Sequence, residues 1–259
     1  MLLAIDIKNK FTDIGIFDED SLLYSFSIST DKNKSVDEIK LLLKLILVDK
    51  NTKPSDITDV IISTVVPELK QTYEKIIESL FAIRPIFISA GIKTGINIKC
   101  QNPKDVGTDR IIRAVAASSI YDKDIIIISS SSITTIDFIN SNKEFMGGLI
   151  LPGIDLSLKS LHQESAKLPL VELETAENIL GNTTASAIQS GIYKGYRAAV
   201  WGLVSEIISE HKLKLSNLKI IIAGESAGVL ENNNYKFEQT SFLGLMGLEK
   251  IYNLNKKQD

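Results

Sequence analysis

The chain has 259 residues, 44 % of them hydrophobic and 24 % charged, with a formal net charge of −3. That length suits one large domain or two halves of moderate size, and the balance is that of an ordinary globular protein. The slight negative charge, with lysines spread along the chain, excludes an electrostatic case for nucleic acid or an anionic membrane as partner; the single cysteine, Cys100, excludes a disulfide framework or a cysteine zinc cluster.

Met1–Phe17 reads as strand, short polar turn and strand. It has no basic leader and soon reaches Asp6, so a strand is expected here and not a secretory signal, with a cytoplasmic protein as the default. Leu23–Ser29 alternates Tyr24, Phe26 and Ile28 with serines, the period of a half-buried third strand. Ser35 followed by Glu38 is a capping-box signature for a helix reaching Asp49. Asp59–Ser63 reads as a strand, Pro67 opens a helix over Glu68–Phe81, and Arg84–Ser89 is a further short strand. Gly91–Asp105 is loop-rich. Gly107-Thr108-Asp109-Arg110 then leads into a helix whose free N–H groups point at whatever lies before it.

Ile125–Ile139 repeats the opening hairpin: a shift of about 123 positions lays Asp6 on Ser129, Lys8 on Ser131, Asn9 on Ser132 and Thr12 on Thr135. Glu144–Leu151 reads as a strand and Ile154–His162 as a helix. Thr184–Lys212 is a long helix whose Gly191, Gly195 and Gly202 would permit close helix contact, including contact across a dimer. Lys219–Ala223 is a strand with Gly224-Glu225 as its turn, and Phe242–Tyr252 a closing helix before the polar tail Asn253–Asp259, the one stretch where disorder is expected. The order implies an α/β fold with mixed sheets in two halves, 1–117 and 118–259. His162 and His211 lack a second ligand at metal spacing. Trp201, Tyr193 and Tyr196 read as packing or dimer contacts and Asp137 as a structural hydrogen-bonding residue.

Several motifs occur together and in order: Ile28-Ser29-Thr30-Asp31 with Asp37-Glu38, Ser63-Thr64-Val65-Val66-Pro67, Asn102-Pro103 with Val106-Gly107-Thr108-Asp109-Arg110, Gly147–Gly153, Ala166-Lys167-Leu168-Pro169 and Gln189-Ser190-Gly191. In these the chain resembles the type III pantothenate kinases nearly end to end. The resemblance implies two actin-like, ribonuclease-H-like domains of the sugar kinase superfamily. It implies transfer of phosphate from ATP to pantothenate on the way to coenzyme A, with Mg and a monovalent cation, K or NH4, and a homodimer. By the same resemblance Asp109 is the general base, Gly107, Thr108 and Arg110 are its pantothenate-binding neighbours, and Thr184 is another substrate contact. Cys100 stands where the family places a substrate-contacting tyrosine. On the ATP side Asp6, Asn9, Ser132 and Gly224 match nucleotide positions, but Lys8 and Lys10 replace a glycine and a threonine. Asp6 and Ser129 mark the family's cation position, where Ser129 replaces an aspartate. The family's Thr-Gly-Gly is Ala223-Gly224-Glu225.

A Cβ in a phosphate turn that needs positive φ costs roughly 1 kcal/mol in strain. A lost, preorganised donor costs about 3 kcal/mol of transition-state stabilisation, and Glu225 would repel a triphosphate. Two readings of Lys8 remain: with Lys10 it stands in for the cation, or it pairs with Asp6 and both are idle. The altered turns imply weak or absent ATP turnover. The alternative is a silent pantothenate-binding regulator, or a partner subunit in a mixed dimer with an active relative; nothing basic supports direct DNA contact.

Overall fold

The computed structural model describes residues 1–256 apart from 166, 177 and 233, so the first residue of the Ala166–Pro169 motif and the end of the polar tail lie outside the described residues. In chain order come β1 (Leu2–Ile7), β2 (Phe11–Asp18), β3 (Ser21–Ser29), α1 (Val36–Asp49), β4 (Asp59–Thr64), α2 (Lys70–Phe81), β5 (Ile86–Phe87), β6 (Asn97–Ile98) and α3 (Thr108–Ile120). They are followed by β7 (Asp124–Ser130), β8 (Ile133–Ile139), β9 (Glu144–Pro152), α4 (Ile154–Gln163), α5 (Thr184–Glu210), β10 (Leu218–Ala223), β11 (Phe237–Gln239) and α6 (Leu243–Asn255). The chain forms two compact units, Met1–Ile120 with Phe242–Asp259, and Tyr121–Ser241. The closing helix α6 therefore groups with the first unit, whereas the sequence assigns it to a second half.

The first unit is built on a sheet in the order β3-β2-β1-β4-β5. β1 is antiparallel to β2 and parallel to β4. A central strand covered on both faces is largely apolar, and Leu2–Ile7 is buried throughout with Asp6 as its one charged residue. Leu3, Ile5 and Ile7 pack on Ile39, Leu43 and Leu47 of α1 and on Tyr73 and Ile76 of α2. The alternate positions, Ala4 and Asp6, face the other side. There α6 comes so close that a Cβ at Gly244 would lie 2.7 Å from Asp6 Oδ2. α6 also crosses α3 backbone to backbone: a Cβ at Gly247 would lie 1.8 Å from the Ile112 carbonyl oxygen.

Local signals hold at the helix ends. Ser35 Oγ accepts the Glu38 N–H at 3.3 Å and Glu38 Oε2 accepts the Ser35 N–H at 2.7 Å, the reciprocal pair of a capping box. Pro67 opens a 3₁₀ turn, Pro67–Leu69, and α2 proper begins at Lys70. α6 continues to Asn255, so the tail expected from Asn253 starts later. The Asn253 side chain explains this, because its Nδ2 donates to Asp20 Oδ1 at 2.9 Å and also to Glu249.

The second unit's sheet runs β11-β10-β7-β8-β9. β7 is antiparallel to β8 and parallel to β10, the same relation that β1 has to β2 and β4. The internal repeat is therefore real, with one change of register. Ile7 faces Thr12, but Ser130 faces Thr134, so the second turn is one residue shorter and Thr134, not Thr135, is the counterpart of Thr12. The core joins Ile126, Ile128 and Ile136 to Tyr196, Val200, Trp201 and Val204 of α5. Trp201 Nε1 donates to the Leu230 carbonyl at 3.0 Å and its ring stacks on Tyr235, so it is a packing residue. Gly191, Gly195 and Gly202 stand in open space, and a Cβ there meets nothing within 4 Å. Within one chain the close approach of two helices is made at Gly247.

Candidate functional site

The register of the first sheet sets Asp13, Asp6 and Ser63 side by side on one face. Ser63 Oγ donates to Thr108 Oγ1 at 3.0 Å, and Thr108 Oγ1 donates to the Thr64 carbonyl at 3.2 Å. These bonds pin the first residue of α3 to the end of β4. Asp109, the next residue, accepts Arg113 Nη2 on Oδ2 at 2.7 Å, one helical turn on. A Cβ at Gly107 would sit 2.7 Å from Asp109 Oδ1, so the bare Cα leaves room for the carboxylate over the helix start. Burial pulls the Asp109 pKa up, but the Arg113 charge and hydrogen bond, with the Arg110 N–H, outweigh it and hold the carboxyl below its ordinary range.

Asp6 is 2 % exposed and its Oδ1 has no hydrogen-bond partner. Burial pushes its carboxyl up to about 7, opposed by Lys8 and reinforced by Asp109. Lys8 does not pair with Asp6 as one reading expects. Its Nζ sits 2.6 Å from Asp13 Oδ2, while Ser27 Oγ donates to Asp13 Oδ1 at 2.7 Å. The reason is steric and dielectric: Asp6 is shut under α6, and an ammonium group goes to the carboxylate it can meet while staying near water. The turn itself closes through the Lys8 N–H to the Phe11 carbonyl at 3.0 Å. No residue of 8–10 or of 129–132 has positive φ, so the strain expected from the missing glycines is absent. Asn9 and Lys10 are exposed at its tip.

The second turn, Ser129–Ser132, is held by its own unit. Tyr196 Oη lies 2.6 Å from both Ser130 Oγ and Thr134 Oγ1, so this tyrosine is the buried base of the turn. Sequence reading missed that role; its only trace is that facing hydroxyls at inward strand positions need a partner. The Ser130 carbonyl accepts the Ser226 N–H at 3.1 Å and the Ser132 carbonyl accepts the Gly153 N–H at 3.0 Å. Gly224, with φ of +99°, approaches so closely that a Cβ would lie 2.2 Å from the Ser130 carbonyl oxygen. Ser129 is buried and faces Thr135 across the hairpin. Glu225 is exposed and lines a cleft of about 240 Å³ with Glu174 and Tyr193.

Thr184 belongs to neither turn: it lines an apolar cleft of about 310 Å³ with Leu161, Leu168 and Ile188. Cys100 is a free thiol of intermediate exposure. His162 Nδ1 bonds the Leu168 carbonyl at 2.8 Å, and His211 lies against the Phe138 ring. Among the described residues no group of three His, Cys, Asp or Glu side chains could hold a metal, and no helix is long and apolar enough to cross a membrane.

Two mixed sheets, each with a hairpin flanked by a parallel strand, define the actin-like, sugar-kinase-like ATPase group. Solved structures share that fold. An inorganic polyphosphate/ATP-glucomannokinase from Arthrobacter sp. strain KM superposes with a TM-score of 0.50 at 12 % identity, over 98 % of this chain and 99 % of that one. A Campylobacter jejuni protein assigned to the Baf family of transcriptional activators gives 0.60 at 21 % identity, over 98 % of each chain. The family model for type III pantothenate kinase matches residues 2–206. A type III pantothenate kinase of Exiguobacterium sp. is 37 % identical over 258 residues, 99 % of this chain and 100 % of that protein. The chain belongs to the type III pantothenate kinase family.

Proposed function

We propose that the protein takes pantothenate as phosphoryl acceptor at Gly107–Arg110 and transfers phosphate to it from ATP slowly. In this reading the two ATPase halves, expected at 1–117 and 118–259, are the units Met1–Ile120 with Phe242–Asp259 and Tyr121–Ser241. The observation that carries it is a contrast: Asp109 is ionised and oriented by Arg113, while the cation position of the second turn is the uncharged Ser129. Asp109 would accept a hydrogen bond from the attacking hydroxyl and aim its oxygen, which is most of what phosphoryl transfer asks of a protein.

Magnesium fits Asp6, whose buried, unpartnered Oδ1 and near-neutral pKa are what a divalent cation would relieve. When bound it would screen phosphate charge. The monovalent cation does not fit: Ser129 carries no charge and Lys8 is already neutralised by Asp13. Slow transfer then follows from lost charge stabilisation and from Glu225, with backbone strain playing no part. Asn9, Lys10, Ser132 and Gly224 are the remaining candidate nucleotide contacts, and Thr108 and Thr184 candidate substrate contacts.

A coupled assay of the purified chain should show slow ATP-dependent phosphorylation of pantothenate that disappears in Asp109→Asn. Pantothenate should raise the melting midpoint and ATP-magnesium should raise it far less. Brisk turnover would overturn the slow-transfer claim. The Lys8–Asp13 pair favours one second reading, a silent binder that joins an active relative in a mixed dimer. That reading predicts the pantothenate shift with no turnover at all.

A further inference from the structure

Arg113 is 5 % exposed yet charged, and a buried guanidinium is retained only where it is paired. Its Nη2 donates to Asp109 Oδ2 at 2.7 Å from the same face of α3. At its other end Asp109 Oδ1 is turned toward Gly107, where a Cβ would lie 2.7 Å from it, while the Arg110 N–H goes to the Gly107 carbonyl at 3.0 Å. The carboxylate is therefore held on one oxygen by a side chain one turn along, while its other oxygen lies over the bare Cα at the helix start. We propose that Arg113 is a positioning residue that fixes the Asp109 carboxylate in one rotamer over the first turn of α3, so that it meets the substrate hydroxyl ready oriented. This inference rests on the pantothenate-acceptor reading above.

The surroundings show why such a device is needed. From β1, Asp6 faces Asp109 with like charge; from α3 itself, Arg110 and Arg113 oppose it. β4 contributes only the neutral Ser63 and Thr64, and α6 comes in through Gly244. Lys8 and Asp13 lie beyond Asp6 and pair with each other. Without Arg113, a carboxylate in this place would be pressed by burial to take up a proton or turn away. The group that would then face the acceptor hydroxyl is a neutral acid, not an oriented hydrogen-bond acceptor. Because bond formation to the acceptor lags in phosphoryl transfer, an oriented weak base serves better than a strong loose one.

The test is a double-mutant cycle on pantothenate binding, measured by calorimetry on the full chain, with Arg113→Met, Asp109→Asn and the pair. A charge-assisted hydrogen bond predicts that Arg113→Met weakens binding about tenfold, that Asp109→Asn does the same, and that the double variant is no worse than either. Arg113→Lys should recover part of the loss, since the charge returns without the planar fork. Arg113→Gln replaces the methionine variant if that one fails to fold, and carries the same expectation. Parent-like binding in a folded neutral variant, or losses that multiply in the double variant, would overturn the proposal. If the parent chain does not bind pantothenate, the acceptor reading has failed, and the Asp109 carboxyl ¹³C resonance decides on Arg113 alone. A titration midpoint that rises in Arg113→Met supports the positioning role, and one that stays put refutes it.

Discussion

A carboxyl group closed off from water beside α6 keeps its proton to a higher pH, and for Asp6 burial carries the pKa from the ordinary 3.8 to about 7. Between those values the folded chain holds a proton that the unfolded chain has released, so this residue makes stability fall as pH rises across the window. Below 3.8 both states are protonated and the penalty is absent. Asp6→Asn should therefore raise the melting midpoint by about 5 °C at pH 8 and by little at pH 4, read by calorimetry at both pH values. An equal shift at both would show that the carboxyl is not held near neutrality. Asp109 has the opposite environment, because Arg113 stands 2.7 Å from it and the Asp109 side chain is 21 % exposed. The sequence marks both aspartates by motif and by repeat. It does not mark Arg113, since an arginine four residues on in a helix is as often a solvated surface partner as a buried one.

Elements carry a different kind of legibility. Capping residues, alternation and proline positions are local signals, and they placed α1, β3 and the start of α2 to within a few residues. Glycines are read less well, because their purpose depends on what comes near them. Within one chain the three along α5 meet nothing, while Gly247 in α6 lets the backbone of α3 approach. Gly247→Ala should destabilise the chain by about 2 kcal/mol or more, since a Cβ 1.8 Å from the Ile112 carbonyl forces two helices apart. Gly195→Ala, by contrast, should be neutral or slightly stabilising from helix propensity. Chemical denaturation of the two variants reads the difference, and a tolerant Gly247→Ala would mean that α6 can shift without loss.

At the scale of the molecule, the repeat of a hairpin flanked by a parallel strand is what connects fold with proposed activity. One copy has a strand-end aspartate, Asp6, and the other has Ser129, so the two copies differ in charge at the matching position. Lys8→Gly combined with Ser129→Asp should raise ATP-dependent phosphorylation of pantothenate at least tenfold over the parent, by supplying an anionic ligand and removing the lysine side chain from the turn. An unchanged rate in the folded double variant would place the cause of slow transfer elsewhere, with Glu225 the next candidate. The sequence by itself determined the α/β class, the duplicated hairpin and the family, because these rest on hydrophobic period, turn residues and motif order that are written along the chain. Only the tertiary structure decided that Lys8 answers Asp13, that Tyr196 underlies the serine turn, that the glycine-free turns are unstrained and that Arg113 holds Asp109. Each of these depends on the distance and burial of groups brought together by folding, and the energies of charge, hydrogen bond and close contact vary with both.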